Sequence, residues 1–464
     1  MKKKNIYVLA EMPVTRAIIH LAVPSVLSML VNIFYNLTDT FFIGKLNDPI
    51  QLAAVSISLP LLMFQMSIAG IFGHGGGSYL SRLLGKKDYD RAKETNTTAI
   101  ASTLVLSVIL GVIGLLSIPL FLKAVGASAE TAGPARQYIT VILMGSPLIM
   151  LKFALVQLIR AEGAAREAMY GLFIGTGANI ILDPVFIFVF NMGVTGAAVA
   201  TVIGQGIGML YYAHFYYSKK SIVRPSRKYL HPRWEIYKEI LAIGIPASLG
   251  MIMMSVGNTI AYNLASAYSD FSVAAMGVAA RVFSIPIFIF IGISIGIQAL
   301  IGFTYGAGNY PRMKRAIRNS LFISLGASVI FTLIFALFPK PLIAAFINDP
   351  NIITIGRQVL KAYVFAIPFA AAGMIMMRIL QAMGKALPAL IVSLSRQGIV
   401  YIPALFALNE LFGFSGLIFA MPLADAVTTL VSSVFVYNIV RKLSTRLAAP
   451  SAQEYIQPVP AEEA

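Results

Sequence analysis

The stretch VNIFYNLTDT, residues 31–40, decides the fold class of this chain. It ends an apolar segment that begins near Ala17 and is long enough to cross a bilayer as one helix. A carboxylate such as Asp39 is costly near the end of a spanning helix unless it faces a water-filled cavity or a partner. Tyr35 and Asn36 precede Asp39 by four and three residues, so the three side chains share one helix face. The stretch predicts a polar site on a membrane-spanning helix, the alternative being a helix-end aspartate that contacts the water outside.

The composition indicates a polytopic helical membrane protein. Of the 464 residues, 58% are hydrophobic and only 12% are charged, whereas about a quarter of a soluble domain is charged. The chain has no cysteine, which excludes disulfides and thiol chemistry, and no cleavable signal is evident. The net charge of +17 does not indicate nucleic acid, because the basic residues lie in short loops between apolar segments.

Twelve apolar segments of spanning length follow one another along the chain. We predict spans at 15–43, 51–78, 92–120, 134–160, 167–190, 195–217, 237–264, 272–303, 315–338, 354–381, 387–410 and 415–440. Basic residues concentrate in the segments 1–4, 82–93, 160–166, 219–238, 312–318 and 441–446, which all fall on one side of the membrane. The positive-inside rule then predicts that both termini are cytoplasmic.

The two halves of the chain repeat each other at an offset of about 221 residues. Gly85–Lys93 and Gly306–Lys314 share the pattern G-x-x-x-Y-x-R-x-K. Four more segment pairs keep this register: 21–25 with 243–247, 52–55 with 273–276, 161–163 with 382–384, and 193–196 with 413–416. The repeat predicts two pseudo-symmetric six-helix bundles of equal orientation around a central cavity. We assign them to residues 1–218 and 237–446, with a cytoplasmic linker at 219–236 and a C-terminal tail at 447–464.

The first half carries intramembrane polar residues that the second has lost. Asn179 and Asp183 lie one turn apart in the fifth span, and Pro184 frees a backbone carbonyl beside them. At about 1.5 Å per residue, Asp39, Asp183 and Thr201 all fall in the outer half of the bilayer. Such a group suits a cation or a proton that two carboxylates share. The alternative is a set of unrelated polar residues that pack helices together.

The second half has a different polar set. Arg396 and Asp425 each lie about 15 Å into consecutive antiparallel spans, which predicts a buried ion pair with a structural role. Arg378, near the cytoplasmic end of the tenth span, is expected to reach the membrane interface. Metal binding is not expected because the four histidines are scattered. The glycine-rich run 73–78 predicts close helix packing and not a phosphate loop.

These residues resemble the multidrug and toxic compound extrusion (MATE) family over nearly the whole chain. Within the family the chain is most similar to the bacterial DinF-like branch, which includes MepA-type pumps. The resemblance rests on Pro24, the segments 36–44, 84–87 and 160–163, the run Asn179–Pro184, and the run from Gly193 to Thr201.

The resemblance implies a V-shaped all-α membrane protein in which Asp39, Asn179, Asp183 and Thr201 bind the coupling ion, either H+ or Na+. An amide from the fourth span falls near Gln157, a looser match. The acids that another branch places in its second half have no evident counterparts, since Asp425 is the only deep acid there.

The resemblance also implies a secondary antiporter in the bacterial cytoplasmic membrane that exports amphipathic, often cationic compounds by alternating access. The alternative within transport is a flippase for a lipid-linked saccharide. We expect amphipathic small molecules and membrane lipids as partners, a monomer, and no cofactor beyond the coupling ion. An enzyme is not expected, because no nucleophile, base and orienting group occur together.

Overall fold

The computed structural model of the protein describes residues 2–218 and 220–448. All regular secondary structure in this part of the chain is helical. The spans of the first half are Val14–Gly44, Pro49–Gly85, Tyr89–Leu116, Ala129–Met144 continued by Ser146–Ala161, Ala165–Val189 and Gly193–Tyr217. Those of the second half are Trp234–Ser266, Asp270–Gly306, Tyr310–Leu337, Pro350–Ala382 and the run Ala386–Leu443. Shorter helices lie at Lys2–Ala10, Ile118–Ala124, Arg227–Tyr229 and Pro339–Ala344.

The last helical run contains two spans. Its 58 residues would extend about 87 Å as one helix, against a hydrocarbon core of about 30 Å. Gly413 breaks the run with φ +60° and ψ −143°. A Cβ on Gly416 would lie 1.8 Å from the carbonyl oxygen of Leu408, so the chain folds back on itself there. The described part of the chain therefore has the twelve predicted spans, with spans 11 and 12 meeting at Gly413.

Two spans differ from the sequence expectation. Span 4 bends by 56° between Met144 and Ser146, where Pro147 begins a new helix and cannot continue the hydrogen-bond ladder. Span 3 ends at Leu116, and Pro119 starts the separate helix Ile118–Ala124 in the same way. Apolar periodicity runs through both breaks, which is why it predicts one continuous segment in each case.

Each six-span half forms a lobe, and the lobes meet at one end of the molecule. We call this end, which carries the loops 86–88, 162–164, 307–309 and 383–385, the terminal face; both described chain ends lie there. The opposite end, with the loops 45–48, 190–192 and 267–269, is the open face. The largest buried apolar cluster includes Leu21 and Leu80 of the first lobe and Leu300 and Ile379 of the second.

Toward the open face each lobe has a core of its own. Ile43, Val55 and Ile187 belong to a cluster in the first lobe, whereas Ala261 and Met276 belong to one in the second. The shared core therefore covers the terminal half and the separate cores the open half. The result is a V that is closed at the terminal face.

Glycines allow the lobes to touch backbone to backbone at this closure. A Cβ on Gly85 would lie 2.1 Å from the Phe303 carbonyl oxygen, and one on Gly306 would lie 2.0 Å from that of Arg82. A Cβ on Gly75 would lie 2.0 Å from the Ile240 carbonyl oxygen. Since no side chain fits at such distances, the glycine-rich run serves close helix packing, as predicted.

Polar contacts fasten the same closure. Arg82 of span 2 pairs with Glu239 of span 7 at 2.8 Å. The guanidinium of Arg312 donates to the carbonyl oxygens of Leu9 at 3.1 Å and Met12 at 2.6 Å. The N-terminal segment is thereby attached to the second lobe, and opening the terminal face must break these contacts.

Candidate ion-binding site

Three spans of the first lobe place the predicted polar side chains. Asp39 comes from span 1, Asn179 and Asp183 come from span 5, and Thr201 comes from span 6. Span 1 packs on spans 5 and 6. Spans 5 and 6 approach each other closely at Gly204, where a Cβ would lie only 2.7 Å from a backbone oxygen of span 5.

The structure brings five of the predicted residues together. The side-chain amide of Asn179 donates to Asp183 Oδ1 at 3.1 Å, across one helical turn. The hydroxyls of Tyr35 and Thr201 lie 3.4 Å apart. Tyr35 also interacts electrostatically with both Asp39 and Asp183, so the two acids lie within interaction range. Asp183 is fully buried, and Asn179 and Thr201 are nearly so.

The site has a surplus of acceptors. Asp39 Oδ1, Asp183 Oδ2 and Asn179 Oδ1 are buried and have no hydrogen-bond partner within the described residues. All three are acceptor atoms, so the site lacks positive charge or donors. A buried polar atom without a partner is costly, and two carboxylates make the cost larger. A proton or a cation that prefers oxygen ligands satisfies these atoms, and the residues present fit either ion.

One residue of this site was missed by the sequence analysis. Tyr138 of span 4 is 3% exposed and interacts electrostatically with Asp39, Tyr35 and Asp183. A tyrosine inside an apolar segment needs a polar neighbour for its hydroxyl, which is the only signal that its sequence carries. Span 4 bends beyond Tyr138, between Met144 and Ser146, and periodicity did not predict this bend.

Two other predicted residues are not placed in this group. Asn36 belongs to the helix of span 1, but its side chain is outside the part that the structure describes. Gln157 lies in the terminal half of span 4 and lines a different cavity, together with His74 and Arg160. Gln157 is therefore placed apart from the acids, and its role in binding the ion or substrate stays a prediction.

The polar pair of the second lobe is well matched. Arg396 Nε lies 2.6 Å from Asp425 Oδ1, and the side chain of Asp425 is only 3% exposed. Arg396 belongs to a π-helical turn, Ser395–Ile399, within span 11. The two charges balance each other, which distinguishes this pair from the acids of the first lobe. The second carboxylate oxygen, Asp425 Oδ2, is buried without a hydrogen-bond partner among the described residues.

Arg378 has a partner within its own helix. Its side chain is half-buried, and its Nη1 donates to Gln381 Oε1 at 3.0 Å. Its reach to the membrane interface stays a prediction. Its Nε is buried without a partner among the described residues. The cause is tertiary: the end of span 10 packs against span 2 of the other lobe.

Loops at the open face brace the first lobe around the site. Asp48 caps span 2 by accepting from the backbone of Ile50 at 2.9 Å, and its other oxygen accepts from the Gln51 amide at 2.9 Å. This side-chain hydrogen bond from Gln51 lowers the pKa of Asp48. Gln51 Oε1 in turn accepts from the backbone N–H of Val194 at the start of span 6. The ends of spans 1, 2, 5 and 6 are thus held in register.

Two repeated six-span lobes that meet at one end of the molecule are the architecture of a membrane transporter of the carrier type. The MatE family model matches residues 24–185 and 246–407, one stretch in each lobe. The chain belongs to the MATE family of membrane transporters.

Curated relatives and solved structures agree with this assignment. The chain is 31% identical over 446 residues to the multidrug export protein MepA of Staphylococcus aureus, covering 96% of this chain and 98% of that protein. It is 30% identical to MepA of Staphylococcus haemolyticus, covering 97% and 99%. A structure described as the outward-facing conformation of a multidrug resistance MATE family transporter superposes with a TM-score of 0.89 at 25% identity, covering 95% and 98%.

Proposed function

We propose that this protein is a multidrug efflux antiporter that exchanges amphipathic, often cationic compounds for H+ or Na+. The observation that carries the antiport proposal is the set of three unpartnered buried oxygens on Asp39, Asn179 and Asp183. A site that needs positive charge, within one of two movable lobes, is what ion-coupled transport requires. The drug class comes from the relatives that are named as multidrug export proteins.

The proposed cycle follows from differential binding. An ion drives a conformational change only to the extent that it binds one state more tightly than the other. The lobes share an apolar core in the terminal half and have separate cores toward the open face. The ion site that we propose lies toward the open face of the first lobe. Ion binding there neutralises the acids and allows spans 1, 5 and 6 to repack. Repacking of span 1 changes its contacts with the second lobe and so favours opening at the other face.

We further propose that the terminal face is cytoplasmic and that the protein acts as a monomer in the bacterial inner membrane. The basic loops of the terminal face support this orientation. Labelling of a cysteine introduced into residues 220–233 by an impermeant thiol reagent in intact cells would contradict it. A flippase for lipid-linked saccharides is not favoured, because the relatives are named for drug export.

The decisive experiment is transport in proteoliposomes with the two ion gradients imposed separately. We expect uptake or release of a fluorescent amphipathic cation when one gradient, of protons or of sodium, runs against the direction of dye movement. Protein-free liposomes and an ionophore that collapses the gradient serve as controls. Dye movement that is identical with both gradients collapsed would refute antiport while leaving passive transport open.

A further inference from the structure

A second group of buried charges lies between the lobes, away from the acids. His74, Gln157, Arg160 and Gln298 line a cavity that has about 10 Å³ of space for the centre of a water-sized sphere. His74, Gln157 and Arg160 belong to the first lobe and Gln298 to span 8 of the second. The cavity is thus an inter-lobe space in the terminal half of the molecule, with room for one small ion or water.

This group has a surplus of donors, the reverse of the acidic site. Arg160 is 4% exposed, and its Nε and Nη2 have no hydrogen-bond partner within the described residues. In the second lobe, Arg378 Nε is also buried without a hydrogen-bond partner among the described residues, and Arg378 interacts electrostatically with Arg160. His74 interacts with both arginines. The buried guanidinium of Arg160, with two unpartnered donors and a second arginine nearby, needs a counter-charge.

The neighbouring acids are directed elsewhere. The residues that line the cavity in the described part of the chain include no Asp or Glu. Glu162, two residues beyond Arg160, accepts from Ser221 Oγ at 2.9 Å and from the Ile222 backbone at 2.8 Å on the linker side. Glu239 pairs with Arg82. The charge of the arginine pair is therefore not compensated by a lining carboxylate.

The internal repeat gives each lobe one arginine and one glutamine. The offset of about 221 residues aligns Gln157 with Arg378 and Arg160 with Gln381. In each lobe the two residues are three apart on the same helix face, in opposite order. A ligand in the cavity meets Arg160 and Gln157 of the first lobe and Gln298 of the second.

We propose that Arg160 binds one small monovalent anion of chloride size in this inter-lobe cavity, and that Arg378 adds a second positive charge nearby. The anion stabilises the conformation closed at the terminal face. The amides of Gln157 and Gln298 and the imidazole N–H of His74 supply further donors. When the lobes separate at the terminal face, the arginines part and the anion leaves.

The inference predicts a chloride-dependent stability. A ligand that binds only the closed form stabilises it by mass action. We expect the Tm of the detergent-purified protein to rise by roughly 2–4 °C as chloride replaces gluconate at constant ionic strength. Bromide should act similarly, and crystals soaked in bromide should show an anomalous peak beside the Arg160 guanidinium.

Variants separate this site from general closure of the terminal face. Arg160→Gln and Arg378→Gln should each abolish the chloride dependence. The matched control is Arg82→Gln, which removes an inter-lobe ion pair but should retain the dependence because Arg82 is paired with Glu239. A wild-type Tm that does not change with halide concentration, or an unchanged halide response in Arg160→Gln, would mean that only water occupies the cavity. If the variants do not fold, the bromide soak of the wild type still decides. Neither readout depends on ion-driven efflux.

Discussion

The two lobes share one fold but treat buried charge in opposite ways. The first lobe carries Asp39 and Asp183, whose unpartnered oxygens lack positive charge. The second lobe has Ala261 and Ala404 at the equivalent positions of the repeat. Its deep acid, Asp425, is instead held at 2.6 Å from Arg396.

The difference separates two uses of intramembrane charge. A matched pair can be satisfied without any ligand, so it stabilises one arrangement of helices. An unmatched carboxylate remains costly until an ion arrives, so its free energy depends on the ion concentration on the side to which it is open. A group of the second kind can couple a gradient to motion directly. From this contrast we propose that the first lobe couples the ion and that the charged pair of the second lobe is structural.

The largest expected effect is on coupling in the first lobe. Asp183→Asn should reduce gradient-driven efflux by at least tenfold, because it removes a charge that must bind the ion. Asp39→Asn should do the same. Efflux of a fluorescent cation from cells at matched expression, followed by proteoliposome assays, measures the effect.

Asp425→Asn is the matched control, since it neutralises a buried carboxylate in the other lobe. It should lower stability yet leave the transport by correctly folded protein responsive to the gradient. Full efflux by Asp183→Asn, or a loss of gradient response in folded Asp425→Asn, would remove the functional distinction between the lobes.

The next effect is on stability in the second lobe. Arg396→Ala and Asp425→Ala should each lower the free energy of unfolding by about 3–5 kcal/mol, because each leaves one buried charge uncompensated. The double variant should recover part of the loss, since no lone charge remains. Thermal unfolding in detergent measures this non-additivity. Losses that simply add would show that the pair does not act as a unit.

The sequence predicts most of the fold and the centre of the ion site for simple reasons. The twelve spans follow from apolar length, and the two lobes follow from the repeat. Asn179 and Asp183 are four residues apart in one helix, so local geometry alone brings them together. The pairing of Arg396 with Asp425 follows because their spans are consecutive and antiparallel.

What the sequence does not predict depends on how helices bend and meet. Tyr138 reaches the acids through a span that is bent by 56° at Gly145, and the apolar pattern does not register that bend. Arg378 is half-buried at the end of span 10, which packs against the other lobe, and the sequence does not show this packing. In both cases tertiary contacts override a local pattern.

The smallest expected effect concerns the hydroxyl groups that line the first-lobe site and have no counterpart in the second lobe, where Gly257 aligns with Tyr35. The contact between the Tyr35 and Thr201 hydroxyls is long, at 3.4 Å, so it contributes little by itself.

Tyr35→Phe keeps the ring and removes only the hydroxyl. We expect it to weaken ion binding by about 0.5–1 kcal/mol, which is about two- to fivefold in the ion concentration that half-saturates transport. Transport measured against ion concentration in proteoliposomes tests this, with Tyr363→Phe, a buried tyrosine of the second lobe, as the matched control. An unchanged half-saturating concentration would exclude Tyr35 from the site. A loss as complete as that of Asp183→Asn would instead make the Tyr35 hydroxyl a direct ligand of the ion, because a weak hydrogen bond between two hydroxyls cannot account for so large an effect.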